Sequence, residues 1–473
     1  MNTTPSTNPT PRRARFFHVA VVTTALIASV ASTYAGPWEP LFNGKDLTGW
    51  RQLNGTAPYA VVEGAIVGTS EAGSPNSFLA TEKNYRDFIL EFDVRQDVAP
   101  TNSGVQFRSL SDPAVNKGRV HGYQFELDPS PRGWTGGIYD EGRRGWLYPG
   151  SLNPAAHDLY EFGRWNHVRV EAIGHSLRTW VNGVAVAHVI DDATASGFIA
   201  LQVHMVNKPE EAGRRIAWRN LRIQTTDLHA SPPDDVFIRN MIPNDVSAAE
   251  RAQGWRALWD GQTTRGWRGA RRDAFPTKGW KIENGELIVL GAEGAESANG
   301  GDIVTDEEFS AFELEMEFKL TPGANSGIKY FVREEVDPIG GSAIGLEFQL
   351  LDDERHPDAK LGAAGNRTLG SLYDLIPRNP LPGGLAIVPR IGEWQHARIV
   401  VRPDNHVEHW LNGIKVVEYV RGSPEYRALV ARSKYGKIPD FGEAPQGHIL
   451  LQDHGNEVHF RSIKIRPLTA PSS

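Results

Sequence analysis

The sequence predicts an all-β protein with two tandem jelly-roll β-sandwiches, joined by a short linker and a helix. Three observations support this prediction: the composition, an internal repeat, and an apolar period of two residues. The 473 residues include 48 Gly, 31 Pro and 13 Trp but only 4 Met. Gly and Pro are typical of turns and Trp favours strands, so this composition indicates sheets connected by turns.

The internal repeat consists of short motifs that occur twice in the same order. Both copies are far longer than the roughly 20–50 residues of a solenoid repeat, so the pattern indicates a duplicated domain. The predicted domains span residues 36–225 and 254–468, with a linker and short helix at 226–253. The paired motifs are Leu41–Gly44 and Leu258–Gly261, Asn102–Val105 and Asn325–Ile328, Gly136–Asp140 and Gly370–Asp374, Trp180–Gly183 and Trp410–Gly413, and Leu201–Gln202 and Leu451–Gln452.

Strands inside each copy are indicated by alternating apolar and polar residues. Phe88–Val94 alternates in the first copy and Phe312–Phe318 does so in the second. Asn182-Gly183 and Asn412-Gly413 each lie between apolar runs, which is a strong hairpin signal. Many short strands separated by turns predict antiparallel sheets packed face to face.

Three further segments interrupt or connect these strands. Ser247 precedes Glu250 by three residues, a capping-box pattern that predicts a short helix from Ala248. The second copy is longer than the first at 353–367 and at 423–443, where Gly, Pro and charged residues are mixed. We expect these two insertions to be loops.

The first 35 residues have the layout of a signal peptide. Arginines precede the apolar run Val19–Val30, and Thr33-Tyr34-Ala35 places small residues where a signal peptidase reads them. The run is shorter than a bilayer span requires. We expect cleavage after Ala35 and a periplasmic or secreted protein; the alternative is an uncleaved segment that acts as a membrane anchor.

Composition and charge exclude several classes of function. The chain contains no Cys and has a net charge of −7 at pH 7. Disulfides, thiolate metal sites and a cysteine nucleophile are therefore excluded. An acidic balance disfavours binding to nucleic acids or anionic membranes.

One predicted strand in each copy carries polar residues along a single face. Alternation places Gln124, Glu126 and Asp128 together in the first copy. In the second copy Glu347 and Gln349 share a face, and Asp352 follows at the strand end. This pattern predicts the floor of a cleft; the alternative is a half-exposed strand with ordinary polar residues outside.

Both copies resemble the 3-keto-disaccharide hydrolase family, whose domain has the concanavalin A-like lectin/glucanase jelly roll. The resemblance covers 38–225 and 254–468, and it implies cleavage of glycosides whose sugar is oxidised at C3, by elimination or hydrolysis. The motifs that carry it are Leu41–Trp50, Asn325–Ile328, Gly392–Ile399, Leu450–Gly455 and Phe460–Ile463.

The two copies do not match this family equally well. Gln106 stands where the second copy has Lys329, and His204 lies between Val203 and Met205 instead of within Asp453-His454-Gly455. We therefore expect the second copy to carry most of the activity. The first copy would bind glycan or act on a different substrate.

The family's chemistry implies roles for the polar residues of the second copy. Glu347 would be the base or nucleophile, and Asp352 or His454 would supply the acid. Lys329 and Arg333 alternate onto one face and would hold an enolate oxygen. The residues expected to bind substrate are Asn325, Gln349, Tyr373 and Gln452 in the second copy, and Gln124, Glu126, Asp128 and His204 in the first.

Two questions stay open at this point. Asp352, Asp353, His356 and Asp358 form an acidic loop that would suit a divalent metal ion, although their spacing matches no recognised ligand set. The same fold also serves lectins, so the alternative function is non-catalytic carbohydrate binding. Convergence of the second copy's catalytic candidates in one pocket would favour the enzyme.

Overall fold

The computed structural model describes residues 37–97, 102–128, 130–379 and 390–469. The predicted signal peptide at 1–35 lies outside these residues. The regular structure within them is nearly all β. None of the helices found in the described part is long and apolar enough to cross a membrane.

The first half of the chain contains sixteen strands among its described residues. These are β1 (Glu39–Pro40), β2 (Trp50–Asn54), β3 (Tyr59–Val62), β4 (Ala65–Thr69), β5 (Ser77–Thr81), β6 (Phe88–Gln96), β7 (Ser103–Leu110), β8 (His121–Leu127), β9 (Ile138–Glu141), β10 (Gly145–Tyr148), β11 (Asn166–Ile173), β12 (Ser176–Val181), β13 (Val184–Ile190), β14 (Phe198–Val203), β15 (Arg215–Gln224) and β16 (Ile238–Asn240).

The second half adds two short α-helices and thirteen more strands in the described part. The helices are α1 (Ala248–Ala252) and α2 (Pro424–Val430). The strands are β17 (Arg256–Ala257), β18 (Trp267–Gly269), β19 (Trp280–Glu283), β20 (Glu286–Val289), β21 (Ile303–Phe309), β22 (Phe312–Leu320), β23 (Asn325–Arg333), β24 (Ile344–Leu351), β25 (Gln395–Val401), β26 (His406–Leu411), β27 (Ile414–Val420), β28 (Gly447–Leu451) and β29 (Val458–Pro467).

The strands of the first repeat form two sheets. One has the order β16-β13-β12-β11-β6-β15-β4-β3, with β1 paired to β15, and the other has the order β10-β9-β8-β7-β14-β5-β2. Their inner faces pack together: the ring of Phe92 on β6 meets that of Phe125 on β8 edge to face, with centroids 6.1 Å apart. Both rings are fully buried.

The second repeat is built in the same way. Its sheets have the orders β19-β20-β29-β22-β25-β26-β27, with β17 on β29, and β18-β21-β28-β23-β24. Phe312 on β22 contacts Tyr330 on β23 across the core at a centroid distance of 6.3 Å. The predicted fold of two tandem β-sandwiches is thus confirmed.

Local signals in the sequence also produced the expected geometry. Asn182 and Gly183 have φ values of 49° and 82°, and Asn412 and Gly413 have values of 51° and 80°. Positive φ at both central residues is what a tight two-residue hairpin turn requires. Ser247 and Glu250 form the reciprocal capping box, and α1 follows it directly.

The segment between the repeats is packed against both of them. β16 pairs in parallel with β13 of the first repeat, for example through His188 and Ile238. On the other side, Lys464 of β29 forms ion pairs with Glu250 of α1 and with Glu315 of β22. The segment therefore docks the repeats together and does not act as a free spacer.

Candidate active site

The second repeat contains a partly open polar cavity on the outer face of its five-stranded sheet. The space inside it measures about 60 Å³. Its polar lining comes from two strands, β23 and β24, from the loops beside them and from the 423–443 insertion. The polar lining residues are Glu296, Asn325, Lys329, Ser342, Glu347, Gln349, Tyr373, Lys434, Tyr435, Gln452 and His454.

Glu347 lies on β24 directly opposite Lys329 on β23. A Cβ atom at Gly327 would overlap the Glu347 carboxylate, so the glycine leaves room for it over the neighbouring strand. With its amide nitrogen turned inward, Gln349 donates to Ser326 O at 2.9 Å and to Glu347 Oε1 at 3.3 Å. Among the described residues, this amide is the carboxylate's one hydrogen-bonding partner.

Burial sets the electrostatics of Glu347. The residue is 5% exposed, and desolvation raises the pKa of its carboxyl group. Lys329, Lys434 and His454 act in the opposite direction, because nearby positive charge favours the carboxylate. Glu347 is therefore a buried carboxylate with strengthened basicity, facing cationic groups across the cavity.

Lys329 is held in place from behind. Its Nζ donates to Ser342 Oγ and, at 3.0 Å, to Ala343 O. Ser342 Oγ in turn donates to Asp302 Oδ2 at 2.6 Å. Since an ammonium group has three donors, one N–H remains for the cavity side.

The second cation comes from the 423–443 insertion. The Nζ atom of Lys434 lies 4.3 Å from the ring centroid of Tyr373 and 5.1 Å from that of Tyr435. Lys434 is exposed as a whole residue, but its ammonium group sits against these rings, and desolvation lowers its pKa. Tyr373 donates to Asp358 Oδ2 at 2.8 Å, which fixes one of the rings. No pattern in the sequence predicts that this loop returns to the cavity.

His454 and Glu296 face each other across another part of the cavity. His454 Nε2 lies 4.0 Å from Glu296 Oε2, and Gln452 Nε2 donates to Glu296 Oε1 at 3.1 Å. Burial lowers the pKa of His454 and raises that of Glu296. The buried Nδ1 of His454 has no hydrogen-bonding partner in the described part of the chain.

The motif around His454 holds the loop that carries Glu296. Ala292 and Gly294 both donate backbone N–H groups to Gly455 O, at 2.8 and 2.9 Å. Asp453 Oδ2 accepts from Gly301 N at 3.0 Å. Glu296 was missed by sequence reasoning because it lies in a loop without periodicity.

Two predicted catalytic residues lie outside the cavity. Asp352 is buried, but its carboxylate accepts from Gly323 N at 2.8 Å and pairs with Arg355 at 3.0 Å, so it stabilises the turn after β24. The exposed side chain of Arg333 pairs with Glu335. Phe331 has a φ of 51° in a β-bulge, which ends the alternation that would have put Arg333 beside Lys329.

The carboxylates of the predicted metal loop are already paired with arginines. Asp352 pairs with Arg355 as above, Asp353 with Arg378 at 2.6 Å, and Asp358 with Arg367 at 2.9 Å. His356 Nδ1 accepts from Asp358 N. The loop is therefore held together by ion pairs.

The described residues contain one group with metal-like spacing elsewhere. The ligand atoms of His406, Glu408 and Glu418 lie within 4.8 Å of one another. Lys415 Nζ already pairs with Glu418 at 2.6 Å and with Glu408 at 3.6 Å. None of these residues lines the cavity.

The first repeat has a closed polar network at the equivalent place. Ser109 Oγ donates to Gln106 Oε1 at 2.7 Å, and Gln106 donates to Gln124. Gln124 Nε2 donates to Glu126 Oε2 at 2.8 Å, while Asn102 donates to the other oxygen of Glu126. Burial raises the pKa of Glu126 to about 7.

The remaining first-repeat candidates are also engaged within the protein. Asp128 accepts from Arg132 Nε at 2.6 Å, and the Arg132 guanidinium lies 4.3 Å from the ring centroid of Trp134. His204 Nδ1 lies 2.8 Å from Met205 O. The structure therefore does not bring Asp128 or His204 into an open cavity like that of the second repeat.

The fold and this site define a class: a tandem β-sandwich protein whose second repeat holds a charged, partly open cleft. The family model of the 3-keto-α-glucoside-1,2-lyase-like domain matches residues 37–224 and 254–466. The chain therefore belongs to this family, with one copy of the domain in each repeat, and is a glycosidase-type enzyme.

A relative with a known name agrees with this membership. A protein of Bacteroides thetaiotaomicron named 3-keto-disaccharide hydrolase is 38% identical over 239 residues, which is 46% of this chain and 79% of the relative. Two crystal structures from Parabacteroides distasonis are 28% and 25% identical, with TM-scores of 0.41 and 0.33. They cover 48% and 45% of this chain, and 100% and 99% of their own.

Proposed function

We propose that the second repeat cleaves the glycosidic bond of 3-keto-glycosides, including 3-keto-disaccharides, beginning with removal of the hydrogen on C2. Family membership and the name of the Bacteroides relative support this substrate class. The observation that carries the proposal is the buried Glu347 carboxylate, which faces two lysines and a histidine in one cavity.

The ketone explains why such a site needs a base and cations. A carbonyl at C3 acidifies the hydrogen on C2, and the C1–O bond lies β to the resulting carbanion. Removing the C2 hydrogen forms an enolate, whose negative charge rests on the oxygen at C3. The electron pair then forms the C1–C2 double bond, the ketone is restored, and the oxygen of the leaving group departs with a proton.

Glu347 is the base in this scheme. Its raised pKa makes it a better proton acceptor than an ordinary carboxylate, and it stays ionised above that pKa. Gln349 occupies one carboxylate oxygen and fixes the side chain over Gly327. A positioned base of this kind typically contributes about 10²–10⁴-fold to the rate.

The cations and the histidine supply the other two roles. The free N–H of Lys329, supported by Lys434, would stabilise the enolate oxygen as charge develops. His454 would protonate the leaving oxygen, because its ring lies in the cavity beside Glu296. Burial lowers the pKa of His454, so the protonated form is a strong acid.

Hydrolysis by two flanking carboxylates is the route of ordinary glycosidases. Glu296 does give this cavity a second carboxylate, but Gln452 donates to one of its oxygens and His454 lies beside the other. We therefore propose elimination as the bond-breaking step. Later addition of water to the unsaturated product would give net hydrolysis.

The first repeat would support the fold without carrying out this reaction, because amides replace its base and lysine. We also propose that the protein is exported to the periplasm or the medium. The support for export is the sequence pattern of residues 1–35.

The test compares a disaccharide with its 3-keto form, using purified enzyme and NMR detection of the first product. The proposal predicts cleavage of the keto form, an unsaturated keto sugar as the first product, and little turnover of the parent sugar. Equal turnover of both sugars would contradict it. Reaction in heavy water separates the routes further, because elimination followed by hydration places deuterium on C2, whereas direct hydrolysis does not.

A further inference from the structure

Asp302 is a buried carboxylate that lies behind the cavity and does not line it. It accepts three hydrogen bonds: from Ser342 Oγ at 2.6 Å, from Ala343 N at 3.1 Å, and from Asp453 N at 2.9 Å. A buried carboxylate is costly unless its oxygens are satisfied. Asp302 has no direct cationic partner among these contacts, so the hydrogen bonds alone offset the free-energy cost of burying its carboxylate.

These contacts connect Asp302 to two groups of the proposed reaction. Ser342 uses its hydrogen for Asp302, so its oxygen is left to accept from Lys329 Nζ. Asp453 directly precedes His454 in the chain. One carboxylate thereby fixes two separate segments, one that supports the lysine on β23 and one that carries the histidine in the loop after β28.

The first repeat lacks every member of this network. β5 pairs with β14 through Leu79 and Leu201, and β21 pairs with β28 through Ile303 and Leu451. This register puts Phe78 where Asp302 stands. Gln106 replaces Lys329, and Arg119 replaces Ser342. The network is thus present only in the repeat that has the lysine.

We infer that Asp302 is a positioning residue that acts through Ser342 to hold the Lys329 ammonium group toward the substrate's C3 oxygen. This inference rests on the proposed function of the cavity. Ser342 Oγ and Ala343 O direct two N–H groups of Lys329 backwards. The third is then directed forwards before substrate binds, and such preorganised donors need no rearrangement as charge develops.

The test is a double-mutant cycle on the full-length protein with a 3-keto-disaccharide as substrate. Asp302→Asn keeps the size of the side chain but turns one acceptor oxygen into a donor, so the side chain no longer accepts from both Ser342 and Asp453 N. We expect kcat to fall about 10²-fold, as for loss of an oxyanion donor, with KM little changed. In a Lys329→Gln background, Asp302→Asn should cause almost no further loss, because residues that act as a unit are non-additive.

Glu313→Gln is the matched control, since Glu313 is a buried carboxylate of the same repeat and does not line the cavity. It should leave kcat unchanged in both backgrounds. Ser342→Ala should reproduce the loss in kcat and its non-additivity. Thermal unfolding shows whether Asp302→Asn is folded. If it is not, Ser342→Ala takes its place as the test of the inference.

The outcomes separate this inference from the proposed function. An Asp302→Asn enzyme with normal kcat, or one that loses activity equally in both backgrounds, would overturn the positioning role while cleavage of the keto sugar stands. A folded wild-type protein that does not cleave the keto sugar would refute the proposed function itself. A raised KM with unchanged kcat would also overturn the inference.

Discussion

The paired strands β7–β8 and β23–β24 have the same backbone but different chemistry. Both pairs contain a β-bulge with one residue at positive φ, Arg108 at 46° and Phe331 at 51°. Both also place a glycine, Gly104 or Gly327, under the polar side chain of the neighbouring strand. The backbone of these strands alone does not make a site. The first repeat has the same bulge and glycine, but amides stand where the second repeat has Lys329 and Glu347.

The difference lies in how the polar groups are satisfied. In the first repeat, Gln106 and Gln124 donate along a chain that ends on Glu126, and these side chains are buried. In the second, Lys329 is anchored backwards, and Glu347 keeps a largely unpartnered carboxylate facing the cavity. A closed network stabilises a fold, whereas an open one offers groups to a ligand.

The largest effect on activity should come from replacing the buried carboxylate of the second repeat by an amide, while the same change in the first repeat should have none. Glu347→Gln removes the base, so we expect kcat on a 3-keto-disaccharide to fall about 10²–10⁴-fold. Glu126→Gln in the first repeat should leave kcat unchanged, because that carboxylate is enclosed by amides. Activity assays on both variants measure this directly. If Glu126→Gln lost activity and Glu347→Gln did not, the active site would lie in the first repeat and not in the second.

A smaller effect is expected from the insertion that only the second repeat has. Lys434→Met removes a positive charge but keeps an apolar side chain beside Tyr373 and Tyr435. We expect kcat/KM to fall by roughly 10-fold, less than for Glu347→Gln, because Lys329 still faces the substrate. Lys437→Met, three residues along the same loop and outside the lining, serves as control. Equal effects of the two substitutions would show that the cavity charge is unimportant.

The repeats should also respond to pH in opposite directions. His396 in the second repeat is buried and its pKa is lowered to about 4, chiefly by desolvation. The unfolded state therefore takes up a proton first as pH falls below about 6.5. His396 thus costs stability progressively between pH 6.5 and 4, by a few kcal/mol in total.

Glu126 behaves in the opposite way in the first repeat. Its folded pKa of about 7 exceeds the ordinary value of 4.5, so its contribution to stability is fully present below pH 4.5 and is lost as pH rises through 7. Urea unfolding at pH 5 and pH 8 tests both groups. Glu126→Gln should gain stability relative to wild type at the higher pH, and His396→Gln should gain at the lower. Parallel pH profiles for variants and wild type would contradict both assignments.

The smallest effect is expected at Arg333, which the bulge turns away from the cavity. Arg333→Gln should leave kcat and KM unchanged and alter the free energy of unfolding by no more than about 0.5 kcal/mol, as is usual for exposed positions. Steady-state kinetics and urea unfolding test this expectation. A clear loss in kcat would mean that the side chain reaches the substrate after all.

Sequence reasoning succeeded where a regular period carried the signal. Strand alternation was enough to place Glu347 and Gln349 on one face, and the repeat identified Lys329 as a difference from Gln106. It failed at Arg333 because a bulge shifts the alternation by one residue, and a non-glycine bulge such as Phe331 has no clear sequence mark.

The remaining site residues depend on long-range contacts that a sequence does not show. Glu296 reaches the cavity because Asp453 and Gly455 hold its loop, and Lys434 does so because the insertion folds back over the sheet. Asp302 differs from Phe78 at the equivalent position of the first copy, and this difference is a sequence signal. The two positions can be aligned only when the strand register is known.

The most direct test of the account is the rate of cleavage of a 3-keto-disaccharide that carries deuterium on C2. Removal of that hydrogen by Glu347 predicts a primary kinetic isotope effect on kcat/KM, with the first-formed unsaturated sugar lacking the label. Attack on C1 by a nucleophile or by water leaves the C2–H bond intact. A rate unaffected by the label at C2, together with full retention of deuterium in the product, would contradict the account.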